Sequence, residues 1–275
     1  MPCPPGLACP DLGMDLTKAK AKLCKAGFYC LSGAKTDEPT ILSDGGNICP
    51  AGHYCPSPDP ETTSQAFPTG TQVPHPCPPG TYRADTGGSD LTTHCLACPE
   101  GYYCQDYGST NYVICDEGWY CGTKEVSPTP EGKYCPKGHF CTQGKKSPCP
   151  FNDGTSAGGD GKYQDKIGQD SCITCPAGYQ CPYADPVAKT PSESKKVCGN
   201  NRYCPNGYNL AVNCPAGTYT TKKTATASTD CLDCPSGYIC QCTTASASTD
   251  TCIVEFIKCP AGKWCPDKTS SSDGA

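Results

Sequence analysis

The sequence predicts an elongated array of small disulfide-rich repeat modules, mostly loops and short β-hairpins with little helix. Three observations carry that expectation: one short cysteine turn repeated ten times, a cysteine content near a tenth of the chain, and a scarcity of aliphatic residues. The turn is a C-x(5)-C module, seen clearly as CPEGYYC from Cys98 to Cys104. It recurs from Cys3, Cys24, Cys49, Cys115, Cys135, Cys175, Cys198, Cys234 and Cys259.

Residues within the module have assignable jobs. Pro often follows the first Cys and presets φ for a turn. Nine of the ten modules place Gly three positions before the second Cys, and the tenth places Asn201 there. Gly and Asn are the residues that tolerate positive φ, so a left-handed conformation is expected at this position. Aromatic residues commonly precede the second Cys, as in Phe28–Tyr29, Tyr102–Tyr103 and Trp119–Tyr120. Such rings are suited to covering a disulfide and leaning on the next module.

Composition explains why the chain needs its cysteines. Leu, Ile, Val and Phe together number 30 of 275 residues, far below the ~20% at which burial alone becomes doubtful. Apolar burial of that extent cannot offset the ordering entropy of the chain. Fourteen crosslinks from 28 cysteines, at about 2–4 kcal/mol each, supply the difference. Thiols in such number would stay reduced in cytosol, so the expected location is extracellular or at the cell surface. No secretory leader and no apolar run long enough to span a bilayer is visible, and the chain reads as an excerpt of a longer secreted protein. Net charge is −5 with scattered lysines, which makes nucleic acid an unlikely partner.

A longer period lies over the short one. A cysteine, a polar loop, a cysteine, two residues and then the module appear as Cys77–Cys95–Cys98, Cys149–Cys172–Cys175 and Cys214–Cys231–Cys234. These starts define units 77–148, 149–213 and 214–275, with 1–76 as a partial unit. Between modules the expected structure is loop. Asp15–Lys25 has the composition for a turn or two of helix, and 218–230, 243–251 and Thr269–Gly274 read as exposed Ser/Thr-rich loops.

Motifs that would carry chemistry are scarce. The CxxC pairs Cys95/Cys98, Cys172/Cys175 and Cys231/Cys234 sit where one loop closes and the next module opens, which favours structural disulfides over zinc or a redox dithiol. His53, His75, His94 and His139 are widely separated, and His53 and His139 occupy equivalent module positions. No nucleophile motif, phosphate loop or cofactor signature is present, so no catalytic, cofactor or metal residue is assigned and an enzyme is not expected. Asn152–Asp165 is rich in Asp and Gly but lacks the EF-hand spacing, so a solvated loop is expected over a calcium site. No Asn begins an N-x-[ST] sequon. Ser57-Pro58, Ser127-Pro128 and Thr129-Pro130 are candidate O-linked glycosylation or hydroxyproline positions.

The pattern Cys-Pro-x-Gly-Thr-Tyr, a loop, then CxxCPxGYYC resembles the ephrin-receptor-like cysteine-rich repeat. Cys77–Cys104 and Cys214–Cys240 match closely. Cys149–Cys181 is looser, because Phe151-Asn152-Asp153 stands where the Pro-x-Gly turn belongs. The resemblance implies an extracellular repeat of the kind found in receptors and in protist and algal surface proteins, including flagellar-hair (mastigoneme-like) proteins. Two disulfide schemes remain open. In one, every C-x(5)-C closes on itself, with Cys77–Cys95, Cys149–Cys172, Cys214–Cys231 and Cys242–Cys252. The other resembles tumour-necrosis-factor-receptor modules and interleaves Cys98–Cys115 with Cys104–Cys121.

The functional expectation is a structural extracellular protein that builds a fibre, flagellar hair or surface matrix by self-association or with neighbouring subunits, with glycans as further partners. The alternatives are a receptor or adhesin ectodomain and a protist coat antigen.

Overall fold

A computed structural model describes residues 2–11, 22–62, 68–152, 160–185, 187–244 and 252–268, with backbone alone at 241–244 and 252–254. The chain divides into two compact units, Met1–Lys133 with Gln143–Lys145, and Tyr134–Thr142 with Lys146–Ala275.

Both units are built from one device used repeatedly. Within a module the second residue's carbonyl accepts from the fifth residue's N–H, as in Pro99 to Tyr102 at 3.1 Å. Gly101 between them has φ +90°, the signature of a type II turn. The two residues after the glycine form a strand that pairs with the residues just ahead of the next module. Tyr102–Tyr103 thus lies antiparallel to Val113–Ile114, and Phe28–Cys30 to Gly46–Ile48. In the second unit Tyr179–Gln180 pairs with Lys196–Val197 and Arg202–Tyr203 with Val212–Asn213. All sheets among the described residues are two-stranded. Among the described residues helix is limited to the single turn Leu91–His94 and the 3-10 turns Leu42–Asp44 and Ser228–Asp230. No helix among the described residues is long and apolar enough to cross a membrane.

Strands of two residues cannot hold a fold, so the backbone is tied across modules by three recurring bonds. The first Cys of a module donates its N–H to the glycine carbonyl of the module before: Cys24 to Gly6 at 2.9 Å, Cys49 to Gly27 at 2.9 Å, Cys198 to Gly178 at 3.0 Å. That glycine's own N–H donates to the closing cysteine of the following module, as Gly27 does to Cys55 at 2.8 Å and Gly178 to Cys204 at 2.9 Å. The closing cysteine's N–H reaches one turn further, as Cys104 to Glu125 and Cys204 to Ala225, both at 2.9 Å. Backbone groups that would be orphaned in an isolated turn are satisfied by the neighbour.

The glycine is required for space as well as for φ. A Cβ at Gly52, whose φ is +76°, would lie 2.1 Å from the Gly108 carbonyl oxygen. Asn201, at the one module position without glycine, takes φ +55°, a left-handed conformation that Asn adopts more readily than other side chains.

Sulfur fills the interior. Apart from Ala8, Ala34, Tyr163, Ala225, Ile239 and a few prolines such as Pro39, every buried apolar side chain among the described residues is a half-cystine. Phe28 packs on Cys24, Cys30 and Ala34, and Tyr163 is buried against Cys175 and Cys181. Other rings face solvent: Trp264 is 76% exposed and Tyr107 70%.

Several loop expectations need correction. Lys22–Leu23, within the expected helix, is a strand paired with Leu7–Ala8; residues 15–21 of that segment are outside the described residues, as are 153–159 and 269–275. Segment 218–230 is not simply an exposed loop, since Thr218–Tyr219 is a strand and Thr220 and Ala225 are buried. Thr243–Thr244 extends a seven-residue strand, Tyr238–Thr244, paired with Cys252–Lys258. Enrichment in β-branched and aromatic residues, Ile253, Val254, Phe256 and Ile257, supports that longer pairing.

Candidate functional site

The disulfides form the first set of candidate residues. Each described bond joins two cysteines adjacent in chain order. Cys98–Cys104, Cys115–Cys121 and the other described C-x(5)-C modules close on themselves, and Cys77–Cys95, Cys149–Cys172 and Cys214–Cys231 close the longer loops. The interleaved alternative does not form. Cys242 and Cys252 face Val254 and Thr244 in the backbone register, and their side chains are outside the described set. No described cysteine is free.

The three long loops are held differently. In Cys77–Cys95, Asp90 caps the turn Leu91–His94 by accepting from Thr92 N at 3.0 Å and Thr93 N at 2.9 Å. Its carboxyl lies far below the usual range, chiefly through the Thr93 hydroxyl and amide and the Thr92 hydroxyl. In Cys214–Cys231, Asp230 accepts from Thr226 N at 2.7 Å and from Lys222 Nζ at 2.9 Å. The Thr226 amide, then Lys222, pulls its carboxyl down to about 2.

Cys149–Cys172 has a neutral pin. Asn209 is fully buried, and its Oδ1 accepts from Asn152 N at 2.7 Å. Its Nδ2 donates to Lys162 O at 3.1 Å and Cys181 O at 2.9 Å. Lys162 N donates to Pro150 O at 2.8 Å, the bond that Thr81 makes to Pro78 and Thr218 to Pro215. Gly161 therefore stands where Gly80 and Gly217 stand in the bonding pattern, with 151–160 between it and Pro150. Gly161 lacks the positive φ of Gly80 and Gly217, so the closing bond is kept and the Pro-x-Gly turn is not.

The candidate modification positions lie in different settings. Thr129 and Pro58 are exposed, Ser57, Ser127 and Pro128 are half-buried, and Pro130 is buried. Pro128 and Pro130 carbonyls accept from Asp116 and Lys133. The Ser57–Pro58 peptide is cis.

One cluster was not foreseen from sequence. His75, on the strand His75–Pro76, meets Asp59 and Glu61 from the loop after Cys55. Its Nε2 is 3.1 Å from both Asp59 carboxylate oxygens, and its Nδ1 is 3.6 Å from Glu61 Oε1. Asp59 is 4% exposed. The Tyr54 ring lies against the imidazole at 5.3 Å between centroids, with 28° between planes. Burial, then Glu61 and Asp59, raises the Tyr54 phenol above its ordinary value. Among the described residues these three side chains are the group able to converge on a metal ion. The only hint in sequence is a Pro-His-Pro ahead of Cys77 with Asp-Pro-Glu after Cys55.

No known protein-family profile matches the chain. Over 160 residues it is 28% identical to SCO-spondin of Gallus gallus, a match that covers 55% of this chain and 3% of that protein. The chain thus spans a small fraction of the relative it matches. On this chain the described residues form cysteine-rich repeats stapled by disulfides.

Proposed function

We propose that this chain is a structural, non-enzymatic extracellular protein, a disulfide-stapled segment of ephrin-receptor-like repeats. It builds a fibre, flagellar hair or surface matrix by self-association or with neighbouring subunits. The observation that carries this reading is the recurring backbone tie between modules, in which Gly178 N–H meets Cys204 and Cys198 N–H meets Gly178. A module whose bonding groups are completed by the next copy of itself suits a chain that extends by addition. The similarity to a stretch of SCO-spondin supports the extracellular placement. Exposed Thr129 and half-buried Ser127 are the positions proposed to carry O-linked glycans, with the glycan facing solvent.

The test is concentration-dependent sedimentation of the oxidised chain combined with negative-stain electron microscopy. Growth of oligomers or filaments with concentration is expected. Monomers persisting to millimolar concentration would transfer the weight to a receptor or adhesin ectodomain, or to a coat antigen.

A further inference from the structure

We propose that His75 and Glu61, with Asp59 behind the ring, bind one divalent cation of the zinc class. Asp59 is a carboxylate and can only accept, and both its oxygens stand 3.1 Å from His75 Nε2. Nε2 therefore carries the ring proton. In the neutral imidazole Nδ1 carries a lone pair, and the group it meets is the Glu61 carboxylate at 3.6 Å. A nitrogen and an oxygen ligand atom thus converge on one point, where a metal ion competes with the second ring proton.

The dimensions suit a metal. Two ligands of a tetrahedral zinc, each at about 2.0–2.1 Å, lie about 3.3 Å apart, a few tenths of an ångström from the spacing seen here. A ligating histidine ordinarily donates its other ring N–H to a carboxylate, which fixes the tautomer and the ring plane. Asp59 is placed for that role, and its burial holds it there. Tyr54 covers one face of the ring. The charged groups facing His75 are Asp59 and Glu61, both negative, so the local field favours a cation. A nitrogen beside a carboxylate selects a borderline ion such as zinc over calcium or magnesium. Glu61 is 78% exposed, so the remaining positions open to water. No cysteine takes part, and the assignment does not rest on the self-association proposed above.

The experiment titrates zinc into the oxidised full chain by calorimetry. Long-range proton–nitrogen NMR of the unmodified protein then reads which ring nitrogen binds. One zinc per chain is expected, with the shift at His75 Nδ1 and uptake falling in acid as protons compete. His75→Gln should abolish uptake, Asp59→Asn should weaken it about 10–100-fold, and His139→Gln should leave it unchanged. Equal uptake by His75→Gln, coordination through Nε2, or no uptake at about 1 mM zinc, a concentration far above that needed to fill a site, would each overturn the assignment.

Discussion

The loops closed by Cys77–Cys95 and Cys149–Cys172 have bonds of similar span, with sequence separations of 18 and 23, but opposite kinds of pin. The first is held by Asp90, a solvent-facing carboxylate accepting amide and hydroxyl protons. The second is held by Asn209, a neutral amide with no exposed surface. A charged cap is cheap in water and sensitive to acid, whereas a buried amide is insensitive to acid and intolerant of replacement. In the longer loop Asn209 ties Asn152, ahead of the inserted stretch, to Lys162 beyond it.

Replacing Asn209 should be the most damaging single change. Asn209→Ala removes a partner from Asn152 N–H, Lys162 O and Cys181 O in a buried setting. A cost of about 3 kcal/mol or more is expected in denaturant unfolding of the oxidised protein. A cost near that of a surface cap would remove the contrast between the two loops.

Gly52→Ala comes next. Positive φ and a Cβ 2.1 Å from the Gly108 carbonyl oxygen force the neighbouring module to shift, at a cost of about 2–3 kcal/mol. Asn201→Gly, at the equivalent position, should be neutral or stabilising by under about 1 kcal/mol. Melting temperatures of the pair separate the space requirement from the backbone requirement.

Crosslink length gives a finer test. Replacing both cysteines of Cys149–Cys172 by Ser should cost about 3 kcal/mol, and of Cys98–Cys104 about 2 kcal/mol, since loop-closure entropy grows with span. Equal costs would show that native packing around sulfur outweighs chain entropy.

The smallest effect is pH. Asp90 and Asp230 have lowered folded-state values, so their contribution is complete above the ordinary carboxylate range near pH 3.8. It is lost as pH falls through the folded value, which for Asp230 is about 2 and for Asp90 lower still. Amide exchange at Thr92, Thr93 and Thr226 should therefore stay flat from pH 7 to 4 once corrected for intrinsic rates, then accelerate. Exchange at Asn152 should show no such step.

What could be read from the sequence was what adjacent residues determine. Proline after the first cysteine and glycine three before the second specify a turn within seven residues, and Asn201 obeys the same rule by its own backbone tolerance. Hairpins between modules followed from that spacing. Asn209 with Asn152, 57 residues apart, did not, because the contact exists only after two modules have stacked. Gly161 was masked for a related reason: the inserted residues hide its place from a pattern of fixed length. The His75 group escaped because its partners lie across a disulfide-closed module, and neither carboxylate has a spacing that marks a ligand. The long pairing of Tyr238–Thr244 with Cys252–Lys258 was hidden under Ser/Thr-rich composition.

The pairing of neighbours also governs how the molecule can be made. As the chain leaves a ribosome, each thiol of a described bond meets its native partner before the next one emerges, since no described bond encloses another cysteine. An oxidase following synthesis can therefore complete one bridge after another without undoing any, and the large number of wrong pairings open to so many sulfurs is avoided by the order of arrival alone.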